Sequence, residues 1–221
     1  NILGLIFANA FVLSDFFLVR RFTRWQQTKL SHLPQWIDYV SQFDAMMSMA
    51  TFRFNHPEAV DTEIVDVDKI VYEATDLYHP FIGKEKAVRN DFKIDDGNFY
   101  IITGANMAGK STFLRSLGIN YILAMNGMPV FAHSLKVSMF NIFTSMCTTD
   151  DLTHGISYFN AELIRLQQLI SSCKTSERTL IILDEILKGT NSLDKLNGSR
   201  LFLESISSLP VSGVIATHDL E

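Results

Sequence analysis

Nine consecutive residues, Gly104-Ala105-Asn106-Met107-Ala108-Gly109-Lys110-Ser111-Thr112, carry the most direct chemistry in the 221-residue sequence. Two glycines let a backbone curl until successive N–H groups face one anion. Lys110 adds a cation placed to neutralise the β- and γ-phosphate oxygens of a nucleotide, and Ser111 adds a hydroxyl for Mg²⁺. An apolar, β-prone run, Phe99-Tyr100-Ile101-Ile102-Thr103, precedes the stretch, and Phe113, Leu114, Leu117 and Tyr121 follow at helical spacing. Strand, glycine-rich turn and helix form the context that a phosphate-binding loop requires. The helix opening near Lys110 also points its positive dipole end at the same anion.

Two further groups complete that chemistry. The apolar run Thr179-Leu180-Ile181-Ile182-Leu183 ends in Asp184-Glu185. An open α/β sheet puts ligand-binding groups at such strand ends. Asp184 suits Mg²⁺, and Glu185 suits acceptance of a proton from an attacking water. A second buried strand, Gly213-Val214-Ile215-Ala216-Thr217, ends at His218, whose neutral imidazole suits a γ-phosphate or that water. Loop, strand, Asp-Glu, strand, Thr-His is the order of a phosphate-loop ATPase.

These residues need a scaffold, and the composition permits one. With 47% hydrophobic and 19% charged residues, the chain can bury a sizeable core. A net charge of −5 argues against a wholesale basic nucleic-acid surface. Cys147 and Cys173 lack metal-ligand spacing, which fits a reducing compartment, and the six histidines are scattered, so zinc chemistry is not expected. The chain begins at Asn1 rather than methionine and reads as an excised fragment.

Residues 1–19 are strongly apolar and precede Arg20, Arg21 and Arg24. A membrane span is one reading, but Asn9, Ser14 and Asp15 would be costly in a bilayer, so a buried helix is preferred. A second helix is expected from Pro34, with Trp36, Val40, Phe43 and Met47 as a packing stripe. Thr51-Phe52-Arg53-Phe54 alternates before Asn55-His56-Pro57 breaks the pattern. The domain reading is therefore a helical segment at 1–56, a connection at 57–78 and a nucleotide domain at 79–221. Within the last, Asn126-Gly127 ends the first helix, and residues 130–149 suggest one or two strands. Phe159, Leu163, Leu166 and Ile170 suggest an amphipathic helix with Glu162 and Arg165 on its other side, and Leu196 to Ile206 another helix.

The stretch from Thr103 to Arg115, with Asn106-Met107 inside the loop, resembles the ATPase motif of the MutS mismatch-repair family. Leu183-Asp184-Glu185-Ile186 with Gly189-Thr190-Asn191-Ser192 and Asp194 resembles its Asp-Glu motif, and Ala216-Thr217-His218 its histidine switch. Asp150-Asp151-Leu152, Gly155, Ser157, Phe159 and Glu162 resemble the signature segment that acts across a dimer on the partner's nucleotide. Ile156-Ser157-Tyr158-Phe159, Ala161-Glu162 and Thr217-His218-Asp219-Leu220 are similar to a MutS-like branch whose members often carry membrane spans upstream. Departures include Ala105 in place of proline, Ala108 in place of glycine, and Ala87-Val88 in place of a bulkier pair at the adenine site.

The resemblance implies an α/β fold of the phosphate-loop NTPase class, ABC-like, with a mixed sheet flanked by helices and preceded by a small α-helical segment. It implies ATP and Mg²⁺ as cofactors and Gly104 to Thr112 around the phosphates. His79 and Val88 fall beside the adenine, and Ser157 and Asn160 contribute in trans. Without the resemblance, Ser157 reads equally as an ordinary helix cap. Expected partners are a second copy in the full-length protein and double-stranded DNA through other domains, with this fragment itself monomeric. The domain is expected in the cytoplasm, the full-length protein at a membrane through upstream segments.

The leading function is ATP binding and hydrolysis coupled to mismatched, damaged or branched DNA. The alternative is a nucleotide-gated dimerisation scaffold that barely hydrolyses ATP. A transporter ATPase would need a Ser-Gly-Gly-Gln-type signature where Gly155-Ile156-Ser157-Tyr158 stands, and a GTPase an Asn-Lys-x-Asp reader that is missing.

Overall fold

The computed structural model describes residues 2–105, 107–146, 158–175, 178–187 and 192–217. The chain divides into two compact units, residues 1–55 and 56–221.

The first unit is helical. Helices α1 (Ile2–Val12), α2 (Ser14–Lys29) and α3 (Leu33–Asn55) follow one another, the last two joined by a 3-10 turn at Leu30–His32. The apolar stretch 1–19 is therefore not one helix: Leu13, at φ 51°, breaks it. Across the break the Asp15 backbone N–H donates to Asn9 Oδ1 at 3.2 Å, so the two polar residues serve the turn. Among the described residues no helix is long and apolar enough to cross a membrane. Nor is the stretch a buried helix here, since Phe11, Phe16 and Leu18 are exposed, as are Trp36, Val40, Phe43 and Met47 on α3. Residues 51–54 continue α3 instead of forming an extended segment.

The second unit packs two sheets around one helix, with a further pair of helices on the outer face of one sheet. Strands β1 (Glu63–Val65), β2 (Tyr72–Leu77), β3 (Asn90–Ile94) and β5 (Ser134–Ser138) form a mixed sheet in the order β1-β5-β2-β3. Strands β4 (Phe99–Thr103), β6 (Asn141–Ser145), β7 (Thr179–Asp184) and β8 (Val211–Thr217) form a parallel sheet in the order β4-β8-β7-β6. The stretch at 57–78, expected as a connection, thus contributes two strands. On β2, Glu73 is half-buried and Asp76 exposed, while Tyr72, Ala74 and Leu77 are buried.

Helix α4 (Lys110–Met125) lies between the two sheets. Its Leu114, Leu117, Tyr121 and Ala124 share one core with Tyr72, Leu135 and Val137 of the mixed sheet and with Leu180, Ile182 and Val214 of the parallel sheet. The opposite face of the parallel sheet, with Ile181, Leu183 and Ile215, is covered by α5 (Tyr158–Thr175) and α6 (Ser192–Ser207). β7 is buried along its whole length, as an uninterrupted apolar run sheathed on both faces should be.

The face that α5 buries keeps Leu166 and, partly, Ile170 of the expected stripe, but departs from it at Leu163. Glu162, Leu166, Leu169 and Cys173 are buried, whereas Leu163 is 41% exposed. Among the described side chains the buried stripe keeps helical spacing, and a carboxylate, Glu162, lies in it.

Strand β8 sits between β4 and β7, and Gly213 pairs with Phe99 in its ladder. A Cβ built on Gly213 would lie 2.5 Å from Phe99 Cδ1 and 2.7 Å from Cε1, so the ring occupies the space that a side chain would need. Gly213→Ala is expected to lower stability by about 1–3 kcal/mol, the usual cost of overpacking. Chemical denaturation checks this, and an unchanged midpoint would mean that Phe99 swings aside freely.

Candidate active site

Three strand ends meet at one edge of the parallel sheet. Thr103 of β4 pairs with Thr217 of β8, and Ala216 of β8 pairs with Asp184 of β7. Because the strands are parallel, the loop after β4, the Asp184-Glu185 pair and the end of β8 all emerge on the same side. This is the carboxyl edge where open α/β sheets bind ligands.

The loop between β4 and α4 is a tight turn. The Ala108 N–H donates to Ala105 O at 3.2 Å, and Met107 and Gly109 adopt φ of 65° and 89°. Gly109 is the last residue before α4, and the left-handed conformation there favours a residue without Cβ. Met107 takes the same conformation at full exposure. Gly104 and Ala108 approach closely, since a Cβ on Gly104 would lie 3.7 Å from that of Ala108.

Lys110 is only 9% exposed, and its ammonium donates to Gly104 O at 2.6 Å and Ala105 O at 3.0 Å. A buried cation must be paired or hydrogen-bonded. The loop's own carbonyls meet that need and hold the amine against the turn. Ser111 follows, half-buried, in the first turn of α4, while Thr112 is exposed.

Asp184 is 5% exposed, and its Oδ2 accepts no hydrogen bond from the described residues. A buried carboxylate oxygen without a donor is costly unless a cation meets it. A buried carboxylate oxygen left open in this way fits a hard divalent ion such as Mg²⁺. Glu185 is half-buried at φ 55°, with its N–H donating to Ala216 O at 2.9 Å. The carboxylate is thus borne by a strained residue tied to the neighbouring strand.

A cavity of about 510 Å³ adjoins the loop, lined among others by His79, Val88, Phe92, Thr103, Lys110 and Thr112. The structure therefore brings His79 and Val88 to the same cavity as Lys110. Phe92 and Lys86 line it too, with no signal in the sequence. Phe92 is wedged edge-on against Phe113 of α4 at 5.3 Å and Tyr100 of β4 at 5.5 Å, which stiffens that wall. A larger cavity of about 700 Å³ opens on the mixed sheet, but its Lys93–Glu73 and Lys136–Glu63 pairs neutralise one another. Asn106, Ser157 and His218 lie outside the described residues, and so does the side chain of Asn160.

The ring of His79 accepts a hydrogen bond from the Phe81 N–H at Nδ1, 3.2 Å away, which places its proton on Nε2. Burial, and secondarily the positive charge of Arg115, hold its pKa below the ordinary histidine value. His79 is therefore expected to be neutral at pH 7. Since the folded state resists its protonation, its stabilising share is intact above the unfolded-state value and is lost as pH falls through the folded one. An NMR titration checks this: Arg115→Ala should raise the His79 pKa only part of the way back. Full restoration would make charge, not burial, the main cause.

Residues 100–221 match the family model described as MutS domain V. The DNA mismatch repair protein MutS of Fervidobacterium nodosum is 30% identical over 198 residues, covering 87% of this chain and 23% of that protein. MutS of Acetivibrio thermocellus is 35% identical over 164 residues, 71% of this chain and 18% of that protein. The DNA mismatch repair protein MSH3 of Candida glabrata is 32% identical over 160 residues, 70% and 15% respectively. The chain thus spans less than a quarter of the length of these relatives. Because more than half of the sequence matches that model, from within β4 through the loop and both later strand ends, this chain belongs to the MutS family.

Proposed function

We propose that this chain binds ATP with Mg²⁺ in a phosphate-loop NTPase site of ABC-like class and hydrolyses it. The observation that carries this reading is Lys110. Its ammonium is held by two carbonyls of a loop that enters α4 through a left-handed glycine, on the sheet edge that also carries Asp184 and Glu185. Residues 104–112 cradle the phosphates, with Lys110 trading its loop carbonyls for β- and γ-phosphate oxygens. Ser111 and Asp184 hold Mg²⁺, which when bound neutralises charge on those oxygens.

Glu185 accepts the proton of the water that attacks the γ-phosphorus, and ADP and inorganic phosphate leave. His79 and Val88 flank the adenine. His218, directly after Thr217 in sequence, hydrogen-bonds the γ-phosphate or the water, and Ser157 and Asn160 reach a second copy's nucleotide. The relatives are named for DNA mismatch repair, and we place this turnover in a dimer that acts on double-stranded DNA through other parts of the protein.

Calorimetry with ATP and Mg²⁺ tests binding. Lys110→Ala is expected to weaken it by roughly 10- to 100-fold, the worth of a lost charge-assisted hydrogen bond. Unchanged affinity would end the phosphate-loop reading. Glu185→Gln should retain ATP, while single-turnover hydrolysis falls by about 10²–10⁴, the contribution of a positioned general base. Parent-like turnover in that variant would put the base elsewhere.

A further inference from the structure

The turn after β7 is fastened at both ends. At its start the Glu185 N–H donates to Ala216 O of β8 at 2.9 Å. At its end the Leu187 N–H donates to Glu162 Oε1 of α5 at 2.6 Å. Glu185 and Leu187 both adopt left-handed backbone, at φ 55° and 57°, although neither is glycine. Ile186 between them is buried. Such a conformation persists only where the surroundings over-determine it.

Glu162 is out of place as a core residue. It is 5% exposed and continues the apolar stripe of Leu166, Leu169 and Cys173 on α5. Solvation by water cannot explain a carboxylate there, and a medium-sized apolar side chain would fill the same position without desolvating a charge. What the carboxylate supplies is an acceptor at the end of a long side chain, reaching a backbone N–H in the turn that carries Glu185. That N–H belongs to neither a helix nor a strand and has no ladder to bond into.

We infer that Glu162 is a positioning residue: by holding the Leu187 N–H it sets the turn, and through the turn it aims the Glu185 carboxylate. The inference rests on the reading of Glu185 as the base. It adds that the aim of this carboxylate is set from α5, an element on the far side of the parallel sheet from α4 and Lys110. Nucleotide binding, which depends on the loop and α4, should then be separable from hydrolysis by changes at Glu162.

The test uses the full-length protein and three substitutions. Glu162→Met keeps the volume and removes the strong acceptor. Glu162→Asp keeps the charge but withdraws it from Leu187 by one methylene, and covers the case in which the methionine variant fails to fold. Glu162→Gln keeps an acceptor oxygen at full reach. ATP affinity by calorimetry should stay near the parent value in all three. Single-turnover hydrolysis should fall by roughly 10²-fold in Glu162→Met and Glu162→Asp, the effect of a misplaced catalytic group, and largely return in Glu162→Gln.

A double substitution separates positioning from mere support. Glu162→Asp added to Glu185→Gln should slow hydrolysis no further, because the group being positioned is already gone. Additive loss, or equal loss of affinity and rate, would overturn the inference and leave Glu162 a packing residue. Parent-like hydrolysis in Glu162→Asp beside a slow Glu185→Gln would also overturn it, with the base reading intact. If Glu185→Gln itself turned over normally, the base reading would fall and the inference with it.

Discussion

The register of β8 against its two neighbours is the constraint on which the site depends. β8 pairs Thr217 with Thr103 on one side and Ala216 with Asp184 on the other, so it alone decides how the loop after β4 stands relative to the acidic pair. A slip of one residue would turn every side chain of a strand to the opposite face. Buried apolar strands specify register weakly by pattern alone, because both faces accept the same residues. Here Gly213 supplies the missing mark. It is the position on β8 that leaves room for the Phe99 ring, and Phe99 begins β4. Four residues further on, the strand delivers Thr103 and the loop. A packing fact at one end of the ladder thus fixes functional geometry at the other.

Helix α4 extends that rigidity to the wall of the cavity. It is buried between two sheets, yet it carries polar groups in its interior, and each is matched. Asn120, fully buried, donates to Tyr78 O at 3.1 Å and Ser116 O at 2.9 Å, and accepts from the Phe131 N–H at 2.7 Å. The Tyr72 hydroxyl donates to Leu117 O at 2.9 Å, and burial pushes its pKa upward. Leaving such a buried group unsatisfied costs about 1–3 kcal/mol, so these bonds define position more than they add stability. Tyr78 precedes His79, and Lys110 begins α4. Asn120 therefore ties the chain at His79 to the helix that carries the cation.

How much of this was legible in the sequence depended on how local each signal was. The loop could be read because its determinants are contiguous: a β-prone run, glycines where the chain must turn, and a helical stripe beginning at Phe113. The strands β7 and β8 could be read because both-face burial leaves an unbroken apolar run. Leu166 and Ile170 of α5 could be read, but Glu162 was missed on its buried face because a charge ordinarily marks a helix's wet side. Strands β1 and β2 were hidden by the acidic residues Glu63, Glu73 and Asp76 placed among their apolar ones. Phe92 reaches the cavity from β3, which pairs with β2, a contact that no spacing near the loop announces, and Lys86 lines it from the segment before β3. The break at Leu13 left no mark either, since leucine is rarely chosen for a left-handed position.

The two left-handed residues after β7 show why the acidic pair belongs to the fold as much as to the chemistry. Each such non-glycine residue costs about 1–2 kcal/mol relative to ordinary backbone. Glycine at 187 would relieve the strain, but it would also remove a side chain that is 3% exposed and packed in the second core. Leu187 fits there because α6 presents Gly198 to it: a Cβ on Gly198 would lie 2.5 Å from Leu187 Cδ1. Three elements therefore oppose the relaxation of one turn. β8 holds its first N–H, α5 holds its last, and α6 leaves the space its leucine fills. A strained conformation held from three directions persists because its surroundings over-determine it. The fixed backbone at Glu185 is obtained from packing around the turn rather than from any property of the glutamate.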